Sequence, residues 1–418
     1  MIEALTGKSL IDLAIQSHPH AFYGLVRDND PVHFDEQLGM YLVSRYEDLQ
    51  VVLRDAITFS QERGWNKQFA HGFFDEFKAI LERDGGGYFP DVILQDPPKH
   101  TRIRKLLEKA FTAHRMKTLE PNVGKIVANL LDALAGRDQI DGISDIATPM
   151  TIGFMCEQLG FEHADAGKIK QWSDAYVAQV GRMQDREQML ENAELICELQ
   201  NYVIDRVRER QAQPREDMVS DLVTARLDDD DQPALTFAEI VALTRALLVG
   251  GNDTTSTGLS NLLYTIATRP DLADELYENI DNDRFVTRFV EESLRIEPPV
   301  RGLSRVTTKE VELGGKIIPE DSHLLILFAS GNDDSAVFDN PRDFDPSRKN
   351  LARHLSFGAG THLCVAMALA RMEAKIAIRE IVKRFKNIEL AVPAEELLFV
   401  PTIANFSRIN LPLKVVQR

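Results

Sequence analysis

The chain has 418 residues and a formal net charge of −17 at pH 7. Such an excess of acidic groups repels nucleic-acid phosphates, which argues against a nucleic-acid-binding protein. The three cysteines are too few for a disulfide framework, and no apolar run of about 18 residues predicts a membrane span. Because the N-terminal residues also lack a basic leader followed by an apolar core, we predict a cytoplasmic protein.

The first predicted elements are a hairpin and a short helix. Residues 31–44 alternate between apolar and polar side chains and contain a glycine, which predicts a hairpin. Ser44 and Glu47 have the spacing of a capping box, in which each side chain bonds the backbone N–H of the other. We therefore expect a helix from there to about Asp55.

The next region combines aromatic residues with glycines. Residues 60–95 contain five phenylalanines, a tyrosine and three consecutive glycines at positions 85–87. Long glycine-broken segments often cover active sites, so we interpret this one as an irregular lid. Helical patterns follow in residues 99–135 and in two blocks of residues 164–212. The acidic run at 228–231 is interpreted as a solvated loop.

A long helix is predicted in the middle of the chain. Thr236 and Glu239 form a second capping box, and the helical pattern that follows lasts to about Thr268, where an Arg-Pro pair ends it. A helix of that length measures about 48 Å at 1.5 Å per residue. It is long enough to cross the whole molecule. The elements expected after it are a helix with Glu292 and Arg295, strands in 303–328, a loop in 331–350, a helix to about Lys386 and a terminal hairpin in 400–416.

A single cysteine, Cys364, follows a glycine-rich turn that contains Gly358 and Gly360. We expect a helix to begin at the cysteine, because apolar residues recur every three or four positions after it. Backbone N–H groups and the positive end of such a helix lower the pKa of a thiol and favour the thiolate. From these residues alone, Cys364 is a nucleophile, a soft metal ligand or a buried structural cysteine. His362 is a nearby base, but no third group that orients it is evident.

The residues around Cys364 resemble a known signature. Those that carry the resemblance to the haem-binding signature of cytochromes P450 are Phe357, Gly358, Gly360, His362, Cys364 and residues 368–371. The resemblance implies that the sulfur of Cys364 is the proximal ligand of haem iron and that the cofactor is haem b. One departure is Ala366, where the family usually has glycine, and its small side chain should still let the ring fit.

The resemblance covers nearly the whole chain in the order of the family. It implies one domain over residues 1–418, mainly α with small β-sheets, with haem between the long central helix and the Cys-bearing helix start. The residues expected to bind the two haem propionates are His100, Arg104, Arg305 and His354. Further expected haem contacts are Phe357, Gly358, Ala366 and Gly250. Glu292, Arg295 and Arg348 are expected to form a buried structural network.

The middle of the long helix contains residues that weaken helices, beginning with Gly250 and Gly251. The composition alone is compatible with a tolerated kink. The segment also resembles the acid–alcohol motif of P450s, which implies that O2 sits in a groove at the two glycines. In that interpretation Thr254 hydrogen-bonds the bound oxygen or its water, and Asp253 relays protons from solvent. These two are the predicted catalytic residues.

The substrate pocket is predicted from the segments that line it in the family. The expected substrate-binding residues are Phe73, Phe74, Phe89, Leu247, Val300, Leu303, Ala404 and Asn405. Walls rich in phenylalanine suit a terpene, steroid, aromatic or fatty compound. Arg301 lies in the same segment, and we expect its side chain to point to solvent.

The resemblance implies a haem-thiolate monooxygenase that hydroxylates a small-to-medium apolar organic substrate with O2 and external electrons. Two alternatives are a haem-thiolate peroxygenase that uses H2O2 and a non-catalytic haem-based ligand sensor. Asp253 and Thr254 argue against both, because a sensor needs no proton relay and peroxide-using relatives tend to replace this pair.

Electrons are expected from other proteins, because the chain has no dinucleotide fingerprint and no cysteine cluster for an iron–sulfur centre. The expected partners are a ferredoxin and its NAD(P)H-dependent ferredoxin reductase. An acidic ferredoxin would dock on a basic face. The basic residues predicted to form this face are Arg102, Lys105, Lys109, Arg115, Lys117 and Arg353.

Overall fold

The computed structural model describes residues 5–69, 72–109, 113–162, 165–227 and 232–418, and their side chains except at 93 and 113–118. The acidic run predicted as a loop, residues 228–231, lies outside the described residues. The α-helices in the described part of the chain are α1 (Leu13–Ser17), α2 (His20–Asn29), α3 (Tyr46–Arg54), α4 (Gln61–Gln68), α5 (Phe74–Asp84), α6 (Lys99–Glu108), α7 (Ala113–Ala133), α8 (Thr148–Leu159), α9 (Ala166–Ala178), α10 (Arg186–Ala212), α11 (Met218–Thr224), α12 (Phe237–Thr268), α13 (Pro270–Glu278), α14 (Asp283–Ile296), α15 (Phe328–Asn332) and α16 (Met367–Arg384).

The strands in the described part of the chain are short and form three small sheets. They are β1 (Val32–Asp35), β2 (Met40–Val43), β3 (Phe59–Ser60), β4 (Gln139–Asp141), β5 (Leu303–Thr307), β6 (Val311–Leu313), β7 (Lys316–Ile318), β8 (His323–Ile326), β9 (Phe385–Leu390) and β10 (Pro412–Gln417). The largest sheet has the order β1-β2-β8-β5-β3, a second has the order β4-β10-β9, and β6 pairs with β7. The predicted class, mainly α with small β-sheets, is confirmed.

The central helix α12 begins and ends where the sequence predicts. The N–H of Glu239 donates to the hydroxyl of Thr236 at 3.3 Å, and the N–H of Thr236 donates to the carboxylate of Glu239 at 2.8 Å. The helix ends at Thr268, and Pro270 opens the next helix. It packs against α8, α9, α10, α14 and α16, so the largest apolar core of the molecule surrounds it. No helix in the described residues is long and apolar enough to cross a membrane.

Two hairpins were predicted, and the structure confirms one of them. β1 and β2 pair antiparallel from Val32 opposite Val43 to Asp35 opposite Met40. The terminal hairpin is wrong as predicted, because β10 pairs with β9 and β4 instead of with a neighbouring part of the terminal segment. The residues before β10 form a smaller loop, closed by an antiparallel bridge between Phe399 and Arg408.

The capping box predicted at Ser44 and Glu47 is wrong. The hydroxyl of Ser44 donates to the carbonyl of Pro31 at 3.0 Å, away from the helix start. The N–H of Tyr46, the first residue of α3, donates to the carboxylate of Asp334 at 2.9 Å. A side chain from a distant part of the chain therefore caps this helix, which local spacing does not reveal.

The segment 60–95 is less irregular than predicted. The helices α4 and α5 occupy most of it, because α5 presents an apolar face with Phe77, Ile80 and Leu81 buried. The described residues between α4 and α5 are irregular, as are residues 85–91, which lead to a 3-10 turn, Val92–Leu94.

The glycine-rich loop at 85–91 is fixed by side chains from two helices. The amide of Gln200 donates to the carbonyls of Gly85 and Gly87 at 2.6 and 2.5 Å. Arg245 of α12 donates to the carbonyl of Phe89 at 2.7 Å and contacts Asp91 at 3.1 Å. This part of the predicted lid is thus held against α10 and α12 in this structure.

Candidate active site

A largely apolar cavity of about 290 Å³ lies between the middle of α12 and the segment that contains Cys364. On one side it is lined by Leu247, Gly250, Gly251 and Thr254, as well as by other residues of α12. On the opposite side it is lined by Phe357, Gly358, Cys364 and Ala366, among others. The structure therefore brings together the two motifs that the sequence places more than 100 residues apart.

The turn before Cys364 depends on glycine. Gly358 and Gly360 have φ of 70° and 68°, a region that favours glycine. A Cβ on Gly360 would lie only 2.3 Å from the carbonyl oxygen of Leu53, so no larger residue fits there. The N–H of Cys364 donates to the carbonyl of Phe357 at 2.9 Å, which closes the turn and directs the cysteine to the cavity.

Two details of the predicted cysteine environment are wrong. The helix α16 begins at Met367 with Ala366 as N-cap, three residues after the cysteine. Burial raises the pKa of the Cys364 thiol, and this effect outweighs the Ala366 N–H and the charges of Arg104 and Arg371, which lower it. The sequence shows the N–H groups and the helix start, but it does not show how strongly the surrounding apolar residues exclude water from the sulfur.

Four basic side chains line the cavity at one place. The rings of His100 and His362 are 4.4 Å apart, and burial lowers the pKa of both, that of His362 to about 4. Arg305 is 2% exposed, and burial lowers its pKa to about 10. Arg104 donates to the carbonyl of Leu363 at 2.6 Å and pairs with Glu108 at 2.7 Å. Buried cations and imidazoles grouped in this way suit a ligand with carboxylates, since each charge otherwise costs free energy.

His354 does not line the cavity, although the sequence predicts it as a propionate partner. Its Nε2 lies 2.9 Å from the carboxylate of Glu291, and its Nδ1 is 3.3 Å from the N–H of Ser356. Both ring nitrogens therefore have partners within the protein. His362, two residues before Cys364, occupies the cavity instead. Its place in the cysteine segment was the signal that could have identified it.

The three residues of the predicted structural network are buried together. Arg295 forms a two-pronged ion pair with Glu292, with distances of 2.8 and 2.9 Å, and Arg348 reaches the same carboxylate at 2.8 Å. Glu292 and Arg295 are 0% exposed. Arg295 also donates to the carbonyl of Asn332 at the end of α15, and Arg348 donates to that of Asp343 in the irregular segment between α15 and the cysteine turn. The network thus fastens α14 to the chain that leads to Cys364.

The two predicted catalytic residues lie on different sides of α12. Thr254 lines the cavity, and its hydroxyl donates to the carbonyl of Gly250 at 2.6 Å. Asp253 does not line it; its carboxylate accepts a hydrogen bond of 3.0 Å from the amide of Asn405. Burial raises the pKa of Asp253 to about 6, with Asp174 raising it further and Lys170 lowering it.

The cavity contains three of the eight predicted substrate residues, namely Leu247, Val300 and Leu303. Phe74, at the start of α5, packs against Tyr88 of the glycine-rich loop, and Phe89 within that loop packs against Phe237. Neither ring lines the cavity. Phe73 and Ala404 also lie outside the lining, and Asn405 is bound to Asp253.

Arg301, which we expected to point to solvent, is 1% exposed and donates to the carbonyl of Gln16 at 2.8 Å. That expectation is wrong. The sequence gives no sign of the N-terminal segment that covers this arginine.

The sequence analysis missed Glu373, a carboxylic acid in the cavity wall. Glu373 is 2% exposed, and burial raises its pKa to about 8, although the hydroxyl of Thr255 hydrogen-bonds it. An acidic residue among the buried apolar residues of α16, such as Leu369 and Ala377, was the available signal.

We expect Glu373→Gln to stabilise the protein in a pH-dependent way. The unfolded glutamate loses its proton near pH 4.5, whereas the folded one keeps it to about pH 8, so folding of the wild type weakens as pH rises between these values. The difference in the free energy of unfolding between the variant and the wild type should be absent below pH 4.5. It should grow by up to about 1.4 kcal/mol per pH unit from there to pH 8. Urea unfolding of both proteins from pH 5 to 8 measures it. A difference that does not change with pH would contradict the raised pKa.

Comparison with known proteins agrees with this geometry. The family model described as Cytochrome P450 matches residues 181–396, about half of the chain. The 6-deoxyerythronolide B hydroxylase of Saccharopolyspora erythraea is 30% identical over 94% of this chain and 95% of its own. The chain belongs to the cytochrome P450 family.

Two other relatives match over most of their length. The cytochrome P450 monooxygenase PikC of Streptomyces venezuelae is 32% identical over 92% of this chain and 88% of its own. The structure of CYP109E1 from Bacillus megaterium in complex with testosterone matches with a TM-score of 0.79 and 27% identity, over 95% of this chain and 99% of that one. This P450 is accordingly a haem-thiolate monooxygenase, an oxidoreductase.

The residues of the cavity fit haem, the cofactor of the family. A soft sulfur donor faces the glycines of α12 across the cavity, and soft thiolates are ligands of haem iron. Nδ1 of His100 is buried without a hydrogen-bond partner, so it can bind a carboxylate of the cofactor. A Cβ added to Gly250 would meet no atom within 4 Å, which leaves the space beside α12 free for a small ligand.

Proposed function

We propose that this P450 hydroxylates a small-to-medium, neutral, apolar organic molecule with O2. The wall of the cavity carries this proposal. Leu94, Ala246, Leu247, Val300 and Leu303 offer an apolar surface to such a substrate. The described lining residues include no lysine, and the arginines among them lie with His100 and His362. If these arginines bind the carboxylates of haem, no cation remains in the lining for an acidic substrate.

The relatives support this substrate class. One carries 6-deoxyerythronolide B in its name, and another has been solved with testosterone, a steroid. We propose a substrate of comparable size and polarity for this P450.

We further propose haem b as the cofactor, with the sulfur of Cys364 as the iron ligand. The groups that support this assignment are Arg104, Arg305, His100 and His362, which together offer enough donors for two propionates. His354 is not included, because its nitrogens are engaged elsewhere. Phe357, Gly358, Ala366 and Gly250 are retained as contacts of the ring. Haem with a thiolate ligand activates O2 when bound. We propose that residues 1–418 form one catalytic domain around it.

Thr254 and Asp253 are proposed to supply protons to the cavity. The hydroxyl of Thr254 needs only a rotation about its Cα–Cβ bond to turn from Gly250 towards the cavity. Asp253 lies outside the cavity lining, where the charges of Asp174 and Lys170 act on it, and a carboxyl group with a pKa of about 6 can take up and release protons near neutral pH. Asn405 is therefore proposed as a residue that positions Asp253 and not as a substrate contact.

One assay separates this function from a peroxygenase and from a haem sensor. Candidate apolar compounds are first selected by their ability to shift the ferric haem from low to high spin. Each is then incubated with NAD(P)H, a ferredoxin and its reductase, or with H2O2 alone. We expect product and substrate-stimulated NAD(P)H consumption only with the redox proteins. Product with H2O2 alone would favour a peroxygenase, and a spin shift without product in either mixture would favour a sensor.

The proposed electron donors are a ferredoxin and its NAD(P)H-dependent reductase. The basic face predicted for their docking is smaller than expected. Arg102 pairs with Glu239 and donates to the carbonyl of Ala234, so its charge is already compensated. Lys105 and Arg353 are exposed, whereas the side chains of Arg115 and Lys117 lie outside the described residues. Lys109 is exposed too, although its amine contacts the carbonyl of Arg226. The cytoplasmic location of these reactions stays a prediction.

We expect salt to slow the reduction of the haem by an acidic ferredoxin. Exposed charges attract each other less at higher ionic strength, because the screening length falls from about 10 Å at 0.1 M to about 3 Å at 1 M. Stopped-flow reduction at several salt concentrations measures the effect, and the Lys105→Ala variant should show a weaker salt dependence. A rate that is independent of salt in the wild type would contradict electrostatic docking.

A further inference from the structure

Glu291 lies directly before the structural Glu292 on α14, but its side chain takes part in a different network. Its carboxylate accepts from Arg371 in a two-pronged ion pair, with Nη2 at 2.7 Å, and its Oε2 also lies 2.9 Å from Nε2 of His354. Glu291 is 9% exposed and His354 is 7% exposed. Consecutive helix residues point about 100° apart, which explains why two adjacent glutamates serve two separate networks.

The two partners of Glu291 both contact Phe357. The guanidinium of Arg371 lies over the ring of Phe357, 4.6 Å from its centroid, and the imidazole of His354 lies 5.9 Å from the same ring. The carbonyl of Phe357 accepts the hydrogen bond from the N–H of Cys364 at 2.9 Å. A chain of direct contacts therefore leads from the carboxylate of Glu291 to the backbone of the cysteine.

The same contacts bring a positive charge near the sulfur. The guanidinium of Arg371 lies over the ring of Phe357, whose carbonyl accepts the N–H of Cys364, so its positive charge acts on the cysteine segment and favours negative charge on the sulfur. The carboxylate of Glu291 compensates the charge of Arg371 and so limits this effect. A change in either residue must alter the electrostatic potential at the sulfur, and the two changes must act in opposite directions.

We propose that Glu291 is a positioning residue of the cysteine segment, which holds Phe357 through His354 and Arg371 and sets the net charge beside the sulfur. The proposal rests on the proposed function in one respect, namely that Cys364 binds the iron. It gives His354 a role in supporting the turn in place of the predicted contact with haem. Glu291 touches neither cavity nor cysteine, so it acts only through these residues.

The reduction potential of the haem in the purified holoenzyme tests the charge effect. In Glu291→Gln, Arg371 is left uncompensated and withdraws negative charge from the sulfur, so the midpoint should move to a more positive value. In Arg371→Gln the midpoint should move to a more negative value, and the double variant should return towards the wild type. Shifts of the two single variants in the same direction, or no shift in either, would overturn the proposal.

Glu297→Gln is the matched control for the loss of a carboxylate on this part of the chain. Glu297 follows the last turn of α14 and pairs with Arg408 at 3.1 Å, and Arg408 contacts Asn261 and Tyr264 instead of Phe357. We expect the reduction potential of the haem in Glu297→Gln to equal that of the wild type. A shift as large as that of Glu291→Gln would show a general charge effect and overturn the specific role of Glu291.

The support of the turn is tested with a variant that keeps the charge. Arg371→Lys retains the cation but loses the planar group over Phe357 and the two-pronged ion pair. We expect the reduction potential of the haem to be almost unchanged. We also expect the reduced CO complex to lose its thiolate-type spectrum at a lower urea concentration than in the wild type. Urea resistance equal to that of the wild type would overturn the support role. Should Glu291→Gln retain no haem, Arg371→Gln and Arg371→Lys still separate charge from support.

These measurements distinguish a failure of the role proposed for Glu291 from a failure of the proposed function. If the wild type itself shows no thiolate-type CO complex, Cys364 does not bind the iron and the proposed function fails. If the wild type shows it while Glu291→Gln and Arg371→Gln leave the midpoint unchanged, only the role of Glu291 fails.

Discussion

Replacing Thr254 by alanine should divert most of the electrons from product to hydrogen peroxide while the haem content stays at the wild-type level. The hydroxyl lies in the cavity wall, one turn of α12 after Gly250, where O2 has space. Positioned groups that transfer protons contribute about 10²- to 10⁴-fold in rate, so the yield of product per NAD(P)H should fall at least about tenfold. Product, peroxide and NAD(P)H consumed are measured in one reaction with a substrate that shifts the spin state.

Thr257→Ala is the control for this change. Thr257 lies one turn further along the same helix, outside the cavity lining, and its hydroxyl lies 2.9 Å from that of Ser407. The same loss of a hydroxyl there should leave the yield of product unchanged. Equal yields in Thr254→Ala and the wild type would remove Thr254 from the proton path.

The second large effect is expected for Glu292→Gln, which should strongly destabilise the fold. The carboxylate of Glu292 is the shared partner of Arg295 and Arg348, and it also accepts the N–H of Asp345 at 2.9 Å. Removing one partner of a buried ion pair costs about 3–5 kcal/mol, because the remaining charges are left in a medium of low polarity. Since whole domains have about 5–15 kcal/mol of stability, this loss should lower both the unfolding midpoint and the fraction of protein with haem.

The exposed ion pair of Arg269 and Asp271 provides the comparison. These side chains are 48% and 63% exposed, and such pairs contribute about 1 kcal/mol or less. Asp271→Asn should therefore change the urea midpoint little. If Glu292→Gln unfolded at the same urea concentration as Asp271→Asn, the buried network would not support the cysteine segment.

The sequence predicts those parts of the fold that depend on neighbouring residues. Thr236 and Glu239 cap α12 with each other, so four residues of sequence suffice to locate the helix start. Ser44 and Glu47 have the same spacing, yet Asp334 caps that helix from the other half of the chain. Local patterns fail where a distant side chain satisfies the same backbone group.

In the site, too, the sequence predicts the features that depend on neighbouring residues and not those that depend on distant ones. Cys364, Gly358 and Gly360 form a turn whose geometry depends on glycine, and the sequence therefore locates it correctly. Whether His354 or His362 lines the cavity depends on the orientation of the two rings. The carboxylate of Glu291 binds the ring of His354 outside the cavity, and the sequence does not show this contact. Of all parts of the site, the residues that line the cavity on the substrate side were predicted least well.

Phe89 lies in a loop whose position is set by Gln200 and Arg245, two residues with no motif of their own, and Phe74 packs against Tyr88 of the same loop. Glu373 differs from them, because an acidic residue among the buried apolar residues of α16 was a signal, although only the packed structure shows that it lies in the cavity wall. Polar residues that hold a loop, such as Gln200 and Arg245, carry no spacing that a pattern could detect.

The central claim is that the sulfur of Cys364 binds iron in the cavity facing α12. The most direct measurement is the absorption spectrum of the purified, reduced protein under carbon monoxide, for the wild type and for Cys364→Ser. We expect the red-shifted Soret band of thiolate coordination opposite CO in the wild type and its complete absence in the variant. Absence of that band in the haem-loaded wild type, or an identical spectrum in Cys364→Ser, would contradict the account.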